Sequence, residues 1–202
     1  MSSGEEVWSF DAGIEVTSSP TLVDETVYFG SINYDEYNLY AVEASSGEEE
    51  WKFNAGETIN SAPTVANDTV YVGSNGADED SGMYAVSASS GEKIWSLKTG
   101  VTYFKSPTVV EDRVYFGSST DPHAVDASSG DILWSFDEGG STSSPVIVDG
   151  TIYFGSTDGN LYAVEAGVAG SSEDSRVLQG VLGHHHVFAE RGHTQPDTNQ
   201  PS

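Results

Sequence analysis

The sequence has no cysteine, very few basic residues and no long apolar run. Without cysteine, the chain cannot form a disulfide, a thiolate metal site or a cysteine nucleophile. Seven Lys and Arg residues against 32 Asp and Glu residues give a formal charge of −25, which opposes binding to nucleic-acid phosphates and to anionic membranes. No apolar run approaches the roughly 18 residues that cross a bilayer, and the first ten residues do not resemble a signal peptide. We therefore expect no nucleic-acid or membrane partner. We expect a cytoplasmic location if the chain is complete, and a cell-surface or exported one if it belongs to a longer protein.

The negative charge also has a consequence for stability. In dilute buffer this charge density destabilises a compact state through self-repulsion. In molar salt the Debye length falls to about 3 Å, so most of that repulsion is screened. The aromatic share of 11% is typical of a folded core rather than of a disordered acidic segment. We interpret the chain as a folded, haloarchaeal-like protein adapted to high salt.

What the sequence does contain is an internal repeat. Nearly the same eleven residues occur as AVEASSGEEEW at 41–51, AVSASSGEKIW at 85–95 and AVDASSGDILW at 124–134. A fourth copy is split between SSGEEVW at 2–8 and AVEAG at 163–167. The four tryptophans lie 43, 44 and 39 residues apart, and periods of about 40 residues indicate a repeat architecture.

Each repeat contains four short segments with the character of β-strands. In the first repeat they cover 20–23, 26–31, 39–44 and 49–53, and they are rich in β-branched and aromatic residues between Gly, Pro, Asp and Ser. The SSG sequence suits a tight hairpin, because glycine adopts the positive φ that such turns require. No stretch has an apolar period of 3.6 residues. The pattern predicts an all-β protein, a β-propeller of four-stranded antiparallel blades with about four blades in this chain.

These residues resemble the tryptophan-docking motif of pyrroloquinoline quinone (PQQ)-type β-propeller repeats, over roughly residues 2–166. The resemblance implies that the motif fastens neighbouring blades to each other. It also implies a weaker junction at Ser87, where the other units carry the carboxylates of Glu43 and Asp126. The residues that the resemblance assigns to the junctions are Trp8, Trp51, Trp95 and Trp134, the turn glycines Gly47, Gly91 and Gly130, and the small residues Ala41, Ala85 and Ala124.

The repeat also predicts the domain organisation. Residues 1–167 correspond to four blades if the N-terminal strand completes the last one, while the composition changes at 168–202, where we expect a disordered or non-native tail. The family that the chain resembles usually builds rings of seven or eight blades. Three arrangements stay open: a four-bladed ring, two chains that form an eight-bladed ring as a homodimer, and an arc of a longer protein.

Two sets of polar residues have the composition of metal ligands. The histidines at 184–186 and His193 lie in the predicted tail, and we interpret them as adventitious metal binders. The carboxylates at 78–80 and at 35–36 lie in loops, but the glycine that follows the first set does not have the position required by a helix-loop-helix calcium site. We interpret both carboxylate sets as solvated surface and predict no metal site.

Departures from the repeat are the best candidates for function. Tyr103, Phe104 and Lys105 replace the small polar residues of the TSSP segments, and a lysine beside two aromatic rings could bind a carboxylate or an acidic peptide. The alternative is a local change in packing. His123 stands where three other units have tyrosine, and we interpret it as a variant strand start rather than a catalytic base.

The sequence contains no pairing of a nucleophile with a base, so we predict no enzymatic activity and no cofactor. We predict a scaffold that presents its loops and channel mouth to an unidentified protein partner; the chain is similar to the propeller of an outer-membrane assembly lipoprotein. One alternative is a fragment of a PQQ-dependent quinoprotein dehydrogenase. Such enzymes bind PQQ with calcium at the ring centre, and many carry a vicinal disulfide that this chain lacks. The other alternative is the sensor or binding portion of a larger cell-surface or signalling protein.

Overall fold

The structure, a computed structural model, describes residues 4–33, 36–76, 81–98, 104–137, 140 and 143–171. All regular elements in these ranges are β-strands, and they form four antiparallel sheets in chain order. We number these sheets as blades 1 to 4. The structure thus confirms the predicted all-β class and the division into four blades.

The strands follow the repeat along the chain. Blade 1 contains β1 (Glu15–Val16), β2 (Thr21–Val23), β3 (Thr26–Asn33), β4 (Glu36–Glu43) and β5 (Glu49–Asn54). Blade 2 contains β6 (Thr64–Ala66), β7 (Thr69–Ser74), β8 (Gly82–Ser87) and β9 (Lys93–Leu97). Blade 3 contains β10 (Thr108–Val110), β11 (Arg113–Gly117), β12 (Pro122–Asp126) and β13 (Ile132–Ser135). Blade 4 contains β14 (Val146–Val148), β15 (Thr151–Gly155) and β16 (Leu161–Glu165).

A two-residue turn joins β2 to β3, and equivalent turns join β6 to β7, β10 to β11 and β14 to β15. In blade 2 the turn residues Asn67 and Asp68 have φ of 50° and 58°, the left-handed conformation of a hairpin turn that matches the twist of the strands. The turn between the third and fourth strands lies beside it, because the Ala88 amide donates a 2.9 Å hydrogen bond to the Asp68 carbonyl. Equivalent bonds occur in the other three blades. We call the side of the molecule that carries these turns the turn face.

The hydrophobic core lies between neighbouring blades. Tyr28 and Leu39 of blade 1, for example, pack against Val70 and Val72 of blade 2, and all four side chains are buried. Equivalent clusters join blade 2 to blade 3 and blade 3 to blade 4. Consecutive blades therefore bury their facing surfaces against each other; we call the face of a blade towards the preceding blade its front face and the face towards the following blade its rear face.

A second contact between blades is polar and repeats on the innermost strands. The Thr64 hydroxyl of blade 2 donates a 2.6 Å hydrogen bond to the Pro107 carbonyl of blade 3. Thr21 and Thr108 make the same bond to Pro63 and Pro145. Blade 4 has Val146 at this position, so the repeat of threonine hydroxyls ends there.

Blade 4 differs from the other blades at its outer edge. Its sheet has three strands, and among the described residues β16 pairs only with β15. Residues 4–12 form no strand and lie against blade 1, where Trp8 donates a 2.8 Å hydrogen bond to the Ala44 carbonyl. The N-terminal strand that the repeat predicts for blade 4 is therefore absent from this sheet within the described chain.

Candidate functional site

The turn face contains a cavity of about 790 Å³ where blades 1, 2 and 3 meet. The two-residue turns that follow the first strands of these blades supply Asp24, Asp68 and Glu111 to its wall. The turn type determines where these side chains lie, because a short hairpin leaves both central residues at the end of the sheet. The cavity is thus built by residues that differ between repeats on a backbone that the repeats share.

The wall of this cavity is acidic. Glu50 joins the three turn carboxylates, and its Oε1 accepts a 3.1 Å hydrogen bond from the Thr26 hydroxyl. Burial raises the pKa of the neighbouring Tyr28 hydroxyl; Thr26 offsets part of this, and the negative charges of Glu50, Asp68 and Asp24 raise it further. The tyrosine therefore stays protonated at neutral pH. The cavity presents carboxylates and a neutral hydroxyl, a chemistry that favours a positively charged ligand.

The segment after β16 forms another side of the cavity. The Gly170 amide donates a 3.1 Å hydrogen bond to Glu111 Oε1, and the Gly150 amide donates to the Gly170 carbonyl at 3.2 Å. Gly170 and Ser171 consequently line the cavity beside blades 3 and 4. This segment departs from the SSG sequence that ends the corresponding part of the other repeats.

The repeated tryptophans lie at the junctions between blades. Trp51 on β5 donates a 2.7 Å hydrogen bond from Nε1 to the Ala88 carbonyl of blade 2, and its ring covers Gly91. A Cβ atom on Gly91 would lie 2.8 Å from Trp51 Cδ2, which is closer than packing allows. The same geometry pairs Trp8 with Gly47 and Trp95 with Gly130. Ala41, Ala85 and Ala124 lie opposite the tryptophan of their own blade.

Trp134 has a different environment, because blade 4 lacks the SSG turn. The Ala166 carbonyl, which corresponds to the acceptor of the other tryptophans, receives a 2.8 Å hydrogen bond from the Tyr115 hydroxyl and one of 3.3 Å from Arg113. Trp134 packs against Tyr115 with ring centroids 6.1 Å apart. The junction between blades 3 and 4 is therefore closed by a tyrosine and an arginine in place of an indole N–H.

Sequence reasoning missed two further contacts at the junctions. One is the backbone carbonyl that receives the indole N–H, at Ala44, Ala88 and Ala127. The other is the aromatic residue two positions after the tryptophan. Phe53, for example, packs edge-on against Tyr84 of the next blade, with centroids 5.4 Å apart. The WxF pattern in three of the four repeats was the signal for the second contact.

The fold gives the two described residues of the irregular segment, Phe104 and Lys105, different environments. Tyr103 lies outside the described residues. Phe104 is only 2% exposed and packs against Phe116, with ring centroids 5.8 Å apart. Lys105 is half-buried, and its backbone amide donates to the Gly117 carbonyl at 2.9 Å. Phe104 is part of the core between blades 2 and 3, while a partner contact at Lys105 stays a prediction.

Two of the segments considered as metal ligands lie outside the described residues, namely 184–193 and 78–80. Within the described ranges there is no group of three or more His, Asp or Glu side chains that could hold a metal ion. The same part of the chain contains no helix long and apolar enough to cross a membrane.

The fold is that of a known class of propeller. The protein is similar in structure to BamB from Moraxella catarrhalis, with a TM-score of 0.67 and 21% identity over 82% of this chain and 51% of that one. It is similar to the computationally designed Ika4 protein, with a TM-score of 0.65 and 16% identity over 80% of this chain and 98% of that one. It is also similar to the quinohemoprotein alcohol dehydrogenase ADHIIG from Pseudomonas putida HK5, with a TM-score of 0.62 and 20% identity over 79% of this chain and 34% of that one.

The chain thus spans about half the length of BamB and about a third of the dehydrogenase. No curated protein matches the sequence. A family model described as the outer membrane protein assembly factor BamB matches residues 1–191, which is most of the chain. By its repeat, its four blades and this match, the chain belongs to the BamB family of PQQ-like β-propeller repeat proteins.

Proposed function

We propose that this chain is a non-enzymatic scaffold, adapted to high salt, that binds a basic segment of a partner protein in the cavity of the turn face. The observation that carries this proposal is the cavity of about 790 Å³ at the meeting point of three blades. Its wall combines backbone turns held by the sheets with side chains that vary between repeats. Rigid turns with variable side chains are the usual means by which propellers present a binding surface.

The charge of the wall determines the class of partner. Asp24, Glu50, Asp68 and Glu111 attract lysine and arginine side chains. In molar salt this attraction acts only over about 3 Å, so it selects ligands that enter the cavity and contact the carboxylates directly. A basic segment with apolar residues would also contact Val65 and Val109, which line the same cavity.

The proposal is tested with a fluorescein-labelled decapeptide of alternating lysine and leucine, titrated with the protein in 2 M KCl while its anisotropy is measured. Replacing Asp68 with Asn and Glu111 with Gln is expected to weaken binding about tenfold, since each contact contributes up to about 1 kcal/mol. The matched control replaces Glu48 and Glu92 with Gln. These two carboxylates directly precede β5 and β9 and do not line the cavity. Equal losses in the two double variants would show that the overall charge attracts the peptide and would contradict a site in the cavity.

The description of the family favours an exported location over a cytoplasmic one. Its namesake is an outer membrane assembly factor. An exported location, as part of a longer protein, therefore has more support than the cytoplasmic one expected for a complete chain. Extracts fractionated into cytoplasm and cell surface, probed with an antibody to this chain, would decide between them.

The similarity to quinohemoprotein dehydrogenases supports a second candidate function, a fragment of a quinone-dependent enzyme. PQQ is a tricarboxylate, so it requires cationic partners and a calcium ion at its site. The cavity of the turn face carries four carboxylates instead, and the described residues hold no group of three acidic or histidine ligands. This cavity does not fit the cofactor. An increase in melting temperature on addition of PQQ with calcium would revive the enzymatic alternative.

A further inference from the structure

The rear face of blade 4 is uncovered, although it is built from the residue types that other blades bury. Tyr153 and Leu161 are 41% and 75% exposed. Their counterparts in blade 1, Tyr28 and Leu39, are 5% and 0% exposed because blade 2 covers them. In blade 2 the counterparts Tyr71 and Met83 are 3% and 0% exposed. The rear face of blade 4 therefore has the composition of a face that contacts another blade.

The front face of blade 1 is covered only in part: residues 8–12 bury Phe29, Tyr40 and Val42, while the inner strand β2 stays open. Leu22 on β2 is 57% exposed, whereas its counterparts Val65, Val109 and Ile147 are 8%, 4% and 0% exposed. Those three are covered by the blade that precedes them. The molecule thus has an uncovered rear face on blade 4 and an uncovered inner strand on the front face of blade 1, and these surfaces correspond to the two halves of one blade-to-blade junction.

The N-terminal segment, residues 4–12, lies where the outer strand of a preceding blade would lie. Trp8 docks on Gly47 and Ala44 as Trp51 docks on Gly91 and Ala88. Phe10 packs against Tyr40 with ring centroids 5.2 Å apart, as Phe53 packs against Tyr84 at 5.4 Å. Residues 4–12 thus occupy the position of an outer strand but belong to no sheet, whereas the sheet of blade 4 lacks an outer strand.

We propose that a second copy of this chain docks on these surfaces, so that residues 4–12 of each copy form the outer strand of blade 4 in the other. We infer a second copy as the occupant from two observations. Residues 4–12 lie against blade 1 of their own chain. In the same chain, β16 has no second strand partner among the described residues. The arc also covers 51% of a BamB chain, which leaves room for a second arc of the same size. The inference is independent of the proposed peptide site.

The repeat determines the register of the new strand pair. In blade 1, Asn38 lies opposite Asn54, and Tyr40 lies opposite Lys52. The same spacing from the tryptophan places Asp11 of one copy opposite Asn160 of the other. Both residues are exposed within the single chain. Opposite residues in an antiparallel pair have Cα atoms about 4.5–5.5 Å apart, within the range of a disulfide.

The absence of native cysteine makes this register directly testable by cross-linking. The full chain carrying both Asp11→Cys and Asn160→Cys is oxidised in 2 M KCl and examined on a non-reducing gel, with free thiols counted. We expect a covalent dimer without free thiols, and a native mass of two chains by light scattering. The single variants are expected to stay uncross-linked when oxidised separately and to form a dimer when mixed.

Two results would overturn the proposal. A monomer without free thiols would show that the segment closes blade 4 of its own chain, as in a four-bladed ring. A chain that keeps both thiols free would show that the segment and β16 do not pair in this register. A single-chain mass for the unmodified protein in 2 M KCl would also contradict a stable pair of copies.

Discussion

At the scale of single residues, the contact between a tryptophan and a turn glycine decides how closely two blades approach. Gly91 has φ of 72° and lies under the Trp51 ring. In any other residue the backbone would be strained at this φ, and the Cβ atom would overlap the ring. The Gly91 amide also donates a 2.9 Å hydrogen bond to the Ser87 carbonyl. Ser87 stands at the position where the other units carry a carboxylate. In blade 3 this carboxylate is Asp126, which accepts hydrogen bonds from the amides of Ser128 and Ser129. The hydrogen bond from the Ser128 hydroxyl, together with these amide bonds, holds the pKa of Asp126 below its usual range.

We predict that Gly91→Ala lowers the free energy of unfolding by about 2–4 kcal/mol. The new Cβ would overlap the Trp51 ring and the residue would have a strained φ, and each effect costs about 1–3 kcal/mol. Gly159→Ala is the matched control, because Gly159 has φ of 91° but no atom within 4 Å of a Cβ position. Urea titrations in 2 M KCl measure both variants. Equal losses would show that backbone strain alone accounts for the effect and that the tryptophan can move aside.

At the scale of elements, the junction between blades 2 and 3 differs from its neighbours. Junctions elsewhere pair a phenylalanine of one blade with a tyrosine of the next, as Phe136 packs on Tyr162 at 5.1 Å. Here β9 carries Leu97 in place of the phenylalanine, and β12 carries His123 in place of the tyrosine. His123 is buried; its Nδ1 lies 2.9 Å from Ser135 Oγ, and its Nε2 has no hydrogen-bond partner within the described part of the chain.

This histidine is predicted to make the junction sensitive to pH. Burial lowers the pKa of His123 below 6.5, and the opposite effect of Asp121 and Asp137 is smaller. The unfolded chain therefore binds a proton more readily, so stability is full above pH 6.5 and falls as the pH drops below that value. We expect the free energy of unfolding to fall between pH 7 and pH 5.

The control for this prediction is His123→Tyr, which restores the residue of the other repeats and keeps the remaining four histidines. The free energy of unfolding of this variant should change less than that of the wild type between pH 7 and pH 5. A parallel decline in both proteins would assign the pH dependence to other groups and contradict the role of His123.

At the scale of the whole molecule, charge decides whether the blades stay together. The chain carries a net charge of −25, and ion pairs offset little of it in the described residues, where Lys52 and Glu36 are paired at 3.4 Å on the exposed surface. The hydrogen bond from Asn38 and, to a smaller extent, the charge of Lys52 lower the pKa of Glu36, and the charge of Glu36 raises the pKa of Lys52. Such an exposed pair contributes little to stability, so screening by salt has to offset most of the repulsion.

We therefore predict that the melting temperature rises by at least about 10 °C between 0.1 M and 2 M KCl, because the Debye length falls from about 10 Å to less than 3 Å. Sucrose at the same osmolality serves as the control, since it favours compact states without screening charge. A sharp thermal transition that is unchanged in dilute buffer, or an equal effect of sucrose, would contradict adaptation by charge screening.

The sequence by itself determined the strand content, the four repeats and their turns, because hydrophobic alternation and turn residues act over a few positions. The strand predicted at 26–31 is β3, and the strand predicted at 49–53 is β5, each within two residues of the observed bounds. The acidic character of the surface also followed from composition alone.

Only the tertiary structure decided which blade each side chain contacts. Phe104 and Lys105 are neighbours in the chain, yet one is in the core and the other is half exposed. The cavity at Asp24, Asp68 and Glu111 unites residues from three repeats, and no local pattern relates them. The same holds for Trp8, whose partners Ala44 and Gly47 lie in blade 1, and for the open edge of β16. Contacts between repeats depend on how sheets stack in space, and every repeat presents a similar surface, so the sequence pattern alone cannot distinguish one partner from another.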